Sequence, residues 1–365
     1  MDQADWLVEY RALRETAGVL DLSFHSRICL VGNDRLRFLH GQVTNDVKKL
    51  RPGQGCYAAI VTAKGKMESD VNIFVLPDEV LLDFEPGLTG KISQRLEKFV
   101  VADDVQIVDV APHYGLLSVQ GPKTGEIIEK LGWGESPREP FAITKIGDAT
   151  FGEIYLANHA RMLNSCSSRG DEAQMERGAR NAERGTGSEP SDVGCYGYDF
   201  FVPTTSFAAF KEKLIAVVKS IGGCECSEQA FETVRIENGV PRFGIDMDET
   251  NIPLEAGIES IAVSYSKGCY IGQEVINRIH SIGHVNKELR SLKLADDLKS
   301  LPVKGDKLFK DGKEVGYITS AVKSPSFGNL ALGYVRREVN QDGMELALKV
   351  VGEESRVRLS KNGLD

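Results

Sequence analysis

The sequence predicts an α+β fold with largely antiparallel sheets, followed by a small all-β module. Three observations carry that prediction. Runs with helical periodicity alternate with β-rich runs that form hairpins rather than βαβ units. The string "CYAAIVTAKGKMESDVNIFVL" is two β-rich runs folded around Lys64-Gly65-Lys66,. After His284 the texture changes to short alternating runs with glycine turns, of which Asp311-Gly312 is the clearest hairpin signal,.

Element by element, "RICLV" is a strand, and Asp34 is expected to cap the helix "RLRFLHGQ", whose Leu36, Leu39 and Val43 share a face,. The hairpin around Lys64-Gly65-Lys66 and the strand "VLLDF" follow. A helix is expected from Gly87 to Val101 on the spacing of Leu88, Ile92, Leu96 and Phe99,. Strands "VQIVDV" and "YGLLSVQGP" come next, then the helix "KTGEIIEKLG",. Ile154-Tyr155 and "GYDFFVP" are expected in one sheet. The segment 162–193 between them is rich in Ser, Gly, Arg and Glu and cannot repay its ordering entropy, so it is expected to be a flexible surface insertion, with a partner-binding segment as the alternative,. Residues 205–221 and "SEQAFETVRIENGVPRFG" are helices by periodicity. Residues 1–284 therefore form one α+β region, and 285–365 a small barrel or sandwich,.

Composition narrows the function classes. A net charge of -9 gives no broad grip on nucleic acid, which needs concentrated Lys and Arg,. No run approaches the roughly 18 apolar residues of a spanning helix, and the start of the chain resembles neither a signal nor a transit peptide,. A cytoplasmic protein without membrane contact is expected. No P-loop, dinucleotide fingerprint, nucleophile elbow or zinc-ligand set is present, and no resident metal is expected,. His280 and His284 stand four apart near a helix end, compatible with a ligand pair or with a polar cap,. Cys224 and Cys226 form a Cys-x-Cys, compatible with a metal contact or with a turn carrying two small half-buried residues,.

Two residue types suggest chemistry. Cys269 follows Lys267-Gly268 at the expected start of the helix "IGQEVINRI", where backbone N–H groups and an ammonium would favour the thiolate, while Glu274 would oppose it,. The alternative is a small buried apolar residue. Asp70 and Asp199 sit in β-rich strings, either on a solvent face or pointing into a cavity, where a carboxylate can accept two bonds from the guanidine-like N–H edge of a pterin,.

The strings "AGVLDLSFHSRICLVGNDRLRFLHGQVTNDV", "AKGKM", "GYDFFVP", "RIENGVPRFGIDMDETNIPLEAG" and above all "KGCYIGQEV" resemble the YgfZ-type folate-binding proteins, relatives of the glycine-cleavage T-protein. The resemblance implies a three-lobed ring of interleaved α+β domains with a C-terminal β-barrel and a central cavity for tetrahydrofolate or a one-carbon derivative. It further implies a role in assembly or repair of iron-sulfur clusters, in clients such as radical-SAM tRNA-modifying enzymes. Cys269 matches the motif cysteine, with Lys267, Gly268, Tyr270, Gly272, Gln273 and Glu274 completing the string. Asp199 falls near the T-protein glutamate that holds the pterin. His25 and Phe231 fall where aromatic groups lie near folate, neither being the expected tryptophan, and Tyr198 and Arg235 lie in the same matched strings. T-proteins carry two adjacent aspartates where this chain has Ser69-Asp70.

The expectation is therefore a tetrahydrofolate-binding accessory protein for iron-sulfur enzymes, with Cys269 as its thiol, Lys267 beside it and Asp70 in the folate site. One cysteine cannot hold a cluster, so transient ligation or reaction with a folate-borne one-carbon unit fits better. The alternative is a folate-dependent aminomethyltransferase or methyltransferase in which Asp70 is the key carboxylate. A third reading is a folate-binding scaffold whose cysteine only packs.

Overall fold

The computed structural model describes residues 5–134, 136–162, 197–350 and 353–360. Most of the insertion expected at 162–193 lies outside the described residues. Helix α1 (Asp5–Glu15) and strand β1 (Gly18–Asp21) precede a run of β2 (Ser26–Val31), α2 (Arg35–Gln42), β3 (Gly55–Val61), β4 (Met67–Val75), β5 (Glu79–Phe84), α3 (Thr89–Glu97) and β6 (Gln106–Asp109). A second run follows: β7 (Tyr114–Gln120), α4 (Thr124–Leu131), β8 (Ile143–Asp148), β9 (Gly152–Asn158), β10 (Gly197–Pro203), α5 (Phe207–Ser220) and β11 (Cys224–Glu225).

Both runs read strand, helix, three strands, helix, strand, and their sheets are ordered alike. The first is β3-β4-β5-β2-β6; the second is β8-β9-β10-β7-β1-β11, the same order with β1 wedged before the last strand. The α+β region is thus a duplicated unit at the level of topology.

Strand alternation decides what each sheet buries. On one face of the first sheet Ile28, Leu30, Ile60, Ile73 and Leu82 pack beneath α2 and α3 with Leu39, Ile92 and Leu96. The second sheet covers one face with α4 and α5 through Leu117, Val119, Phe200, Ile127, Phe210 and Leu214. The remaining two faces meet each other, where Phe74 and Leu81 of the first sheet join Leu116, Ala157 and Phe201 of the second, together with Leu13 of α1.

That inner layer also holds charge. Arg161 sends one guanidinium nitrogen to Asp83 Oδ2 at 2.7 Å, and Nε to Asp199 at 3.0 Å. Asp83 and Asp199 stand on the corresponding strands β5 and β10, each followed by phenylalanine, and neither retains exposure. His25 Nδ1 lies 3.2 Å from Asp83, Asn72 donates to Asp83 at 3.1 Å, and His159 Nδ1 lies 2.8 Å from Asp199. Burial alone would raise both carboxyls, but the Arg161 charge and the adjacent histidines hold them below the usual range. Burial and Arg161 together lower the His159 pKa, against the pull of Asp199.

After α6 (Glu228–Glu237) the chain passes through short α7 (Glu259–Ala262) and α8 (Gln273–Ser281) into six strands, β12 (Lys287–Leu294), β13 (Lys307–Lys310), β14 (Lys313–Ser324), β15 (Gly328–Arg336), β16 (Glu345–Val350) and β17 (Glu353–Ser360), which close a barrel. Asp311 and Gly312 both have positive φ at the β13–β14 turn, as a two-residue hairpin requires,. No helix among the described residues is long and apolar enough to cross a membrane.

Two local expectations are corrected. Asp34 makes no side-chain cap bond; its carboxylate instead accepts from the Asp104 amide at 3.0 Å and from Arg37 at 3.2 Å, because the loop before β6 closes over the start of α2. Helix α3 stops at Glu97, so Phe99 lies outside its buried face, 44% exposed, with the Arg95 guanidinium over its ring.

Removing Arg161 strands two buried carboxylates. Arg161→Met is expected to lower the unfolding free energy by about 3–5 kcal/mol in urea denaturation, with partial recovery when Asp83→Asn is added. A loss below about 1 kcal/mol would show that the bridge is not what holds the sheets together.

Candidate functional site

The inner face of the first sheet has two covers. Phe74 of β4 and Leu76 just after it lie under the second sheet, whereas Ala59, Val61 and Met67 lie under a later stretch containing Phe243, Met247, Ala262 and Tyr270. Tyr57 and Asp70 fall between the covers. Both are half-buried, on the same inner face of the β3–β4 hairpin.

Tyr57 donates its hydroxyl to Asp70 Oδ2 at 2.8 Å. Burial first, and then the Glu85 charge, push the Asp70 carboxyl up to about 7, against the Tyr57 bond and the influence of His25. The same burial and the Asp70 charge raise the Tyr57 phenol well above its ordinary value, so it stays protonated. Arg242 anchors the far side: Nε donates to Glu85 at 3.0 Å, and Nη1 reaches Glu228 and Glu232 on α6 at 2.9 and 3.2 Å. A carboxyl that titrates near neutrality can take or release a proton there.

Of the other residues expected at a folate site, His25 bears on Asp70 electrostatically and Phe231 packs on the inner layer between the sheets. Three lack a free polar edge. Asp199, expected to face a pterin, is bonded by His159 and Arg161. Tyr198 points to the opposite sheet face, into the layer under α4 and α5, where its hydroxyl donates to Ser136 Oγ at 3.1 Å. Arg235 is an internal brace, bonded to Asp246 at 2.6 Å and Glu232 at 2.5 Å, while Asp246 also accepts from Thr319 and Ser320 of the barrel. Each is fixed by a partner distant in sequence or by strand parity, so the motif strings alone could not show it.

The sequence reading missed Tyr57, Glu85, Arg242 and the Asp83–Arg161–Asp199 bridge. One signal was present: "LLDF" and "YDFF" repeat an aspartate-phenylalanine pair on strands that prove equivalent.

The string "KGCYIGQE" forms a second feature. Lys267 Nζ is buried and donates to three backbone carbonyls at the end of α2, those of His40, Val43 and Asn45, at 2.7, 2.6 and 2.8 Å. Burial lowers its pKa to about 8, Asp46 and Cys56 opposing. The ammonium therefore points into the protein rather than toward the thiol, and α8 begins at Gln273, past Cys269, so the thiol is not at the helix's first turn. Tyr270 is buried in the cover over the hairpin. Gly272 has φ 85°, and a Cβ there would overlap the Thr62 carbonyl oxygen of the β3–β4 hairpin,. Cys269 alone of this string's central residues projects freely, exposed on a loop pinned on both sides.

His280 stacks on Tyr265 with ring centroids 3.7 Å apart, and its Nδ1 lies 2.6 Å from Glu259, so it braces α8 against α7. Among the described residues, no group of three or more His, Cys, Asp or Glu is placed to hold a metal ion.

Paired sheets with a polar strip on the inner face, carried ahead of a closed barrel, define the class: a T-protein-type α+β protein. Residues 2–162 match the GCVT N-terminal domain and residues 287–364 the glycine cleavage T-protein C-terminal barrel domain. The chain belongs to this GcvT-like family. It is 28% identical over 346 residues to an aminomethyltransferase of Bacillus subtilis, covering 94% of this chain and 86% of that protein. To an aminomethyltransferase of Thermoanaerobacter pseudethanolicus it is 25% identical over 344 residues, covering 94% and 84%. The crystal structure of glycine cleavage system aminomethyltransferase T from Bartonella henselae shares the fold, with a TM-score of 0.78 at 19% identity over 97% of this chain and 87% of that one.

Because burial raises the Asp70 pKa, the carboxyl's favourable contribution is complete below its unfolded value near 4 and is lost as pH rises through about 7,. Asp70→Asn is expected to be more stable than wild type by about 1–3 kcal/mol at pH 8, with the gap closing toward pH 4 in denaturant titrations. For the pinned loop, Cys269→Ala should change stability by less than about 0.5 kcal/mol, whereas Lys267→Met should cost about 2–4 kcal/mol by leaving three carbonyls without their donor.

Proposed function

We propose that the chain is a tetrahydrofolate-dependent protein of the T-protein type whose polar strip around Asp70 supports transfer of an aminomethyl or methyl unit. The observation that carries this reading is Asp70: a half-buried carboxyl on the inner sheet face, bonded by Tyr57 and titrating near neutrality. The aminomethyltransferase names of the relatives support it.

The residues present fit a reduced folate. A pterin offers an edge of N–H donors, and Asp70 and Glu85, close enough for the Glu85 charge to raise the Asp70 pKa, offer carboxylate acceptors, Asp70 bonded by the Tyr57 hydroxyl and Glu85 by the Arg242 guanidinium,. Phe231 supplies apolar surface from α6. When bound, the folate would supply a nitrogen that carries the one-carbon unit. Asp70 would orient that end of the ligand and hold or release a proton at its carboxyl. Arg242 would hold Glu85 in place, and the cover from 243 to 270 would limit water,.

A second reading, an accessory role in iron-sulfur cluster assembly or repair, is favoured by one observation: Cys269 is displayed on a loop whose neighbours are all tied down. A soft thiolate so held suits transient contact with a client's iron or sulfur. In this reading the folate site is shared and the thiol does the distinguishing chemistry.

Tetrahydrofolate titration by calorimetry tests the first reading. Asp70→Asn should weaken binding at least about tenfold, about 1.4 kcal/mol, and abolish one-carbon transfer, with Cys269→Ala near wild type in both. If Cys269→Ala instead fails to restore a [4Fe-4S] enzyme in cells lacking their own family member, while Asp70→Asn restores it, the accessory reading replaces the transferase one.

A further inference from the structure

The cysteine pair that follows Gly222-Gly223 takes no part in either site. Cys224 and Cys226 lie on and just after β11, the edge strand of the second sheet, which pairs with β1 alone. Their sulfurs are 4.0 Å apart. The two thiols are unequal: Cys224 is half-buried, whereas Cys226 is buried under α1, its sulfur 3.6 Å from the Glu9 carbonyl oxygen and 3.7 Å from the Cys224 carbonyl oxygen. A Cβ on Gly18 of the neighbouring strand would overlap the Cys226 sulfur, so the bare glycine makes room for it. Among the described residues no third ligand joins the pair into a metal-holding group.

An accessible thiol backed by a buried one at this separation is the arrangement of a thiol–disulfide couple, one sulfur to attack and one to resolve. We propose that Cys224 and Cys226 form a redox-active dithiol that reduces low-molecular-weight disulfides of the glutathione class, with Cys224 attacking and Cys226 resolving. The Cys224 thiolate attacks one sulfur of the disulfide, forming a mixed disulfide and releasing one thiolate. Cys226 then gives up its proton and attacks Cys224, forming the Cys224–Cys226 disulfide and releasing the second thiolate. The two thiol protons go to the two products, so the dithiol loses two electrons and the substrate becomes two thiols.

The local electrostatics agree with these roles. A hydrogen bond from Cys226 and the charge of Lys219 lower the Cys224 pKa against the cost of burial, while the Cys224 thiolate and burial raise that of Cys226. Bond formation needs the sulfurs to close by about 2 Å. The movement falls on a strand end held to β1 by the Cys224 amide on the Ala17 carbonyl at 3.3 Å and the Cys226 amide on the Val19 carbonyl at 2.8 Å.

The test uses the full chain carrying Cys269→Ser, which removes the thiol that is exposed among the described residues. It is incubated with reduced and oxidised glutathione at several ratios, quenched by alkylation and mapped by mass spectrometry. The expected result is a disulfide within the peptide holding both cysteines, reversible with the glutathione ratio, and trapping of one glutathione on Cys224 in Cys226→Ser. Absence of the internal disulfide at the most oxidising ratio overturns the proposal, as does failure of Cys226→Ser to trap glutathione while folded. Should that variant not fold, alkylation rates in the otherwise unaltered chain decide: Cys224 reacting about tenfold faster than Cys226 supports the roles, and equal or reversed rates refute them.

Discussion

A single guanidinium lies between two buried carboxylates, and the mutual placement of both sheets depends on it. Arg161 meets Asp83 on one sheet and Asp199 on the other, with His25 and His159 at the flanks. Two negative charges in an apolar layer carry a heavy desolvation cost, and only a cation held at hydrogen-bond distance from both offsets it. Because the two aspartates occupy equivalent strands of a duplicated topology, this bridge works as a registration pin between the halves.

The polar strip around Asp70 follows from that placement. With the second sheet fixed over one end of the first sheet's inner face and the 243–270 stretch over the other, a strip of polar wall is left between them. Asp70 stands in that strip, where low polarity and the Glu85 charge move its titration to neutrality. Fold and chemistry are linked here by position alone. The same aspartate on an open strand face would be an ordinary ionised surface group, whereas Asp199, deeper in the layer, is taken up by Arg161 and His159.

The two sulfur features differ in the same physical terms. Around Cys269 the side chains of Lys267 and Tyr270 and the backbone of Gly272 are committed to α2 and the β3–β4 hairpin, so the loop's rigidity is provided by its neighbours and the thiol is left outside. Around Cys224 and Cys226 the sulfurs face each other across one residue, one reachable and one shielded by α1. A displayed single thiol suits contact with another molecule; a facing pair suits exchange of electrons with a small one.

By itself the sequence determined many of the elements and their order, though not α1, β1, β8 or α7. Hairpin glycines, helical spacing and the change of texture after His284 are local signals, and they led to the α+β class, the C-terminal β-module and the T-protein resemblance. It also pointed to Asp70 as a carboxylate worth attention. Only the tertiary structure decided which polar residues share a space. Arg161 finds Asp83 across 78 residues and Asp199 across 38, and Arg242 finds Glu85 across 157. Strand parity turned Tyr198 and Asp199 to opposite faces, and packing drew the Lys267 ammonium inward toward carbonyls that no motif records. Local sequence dictates backbone conformation through short-range sterics and hydrogen bonding, whereas the ionisation and reach of a side chain depend on what the folded chain brings beside it.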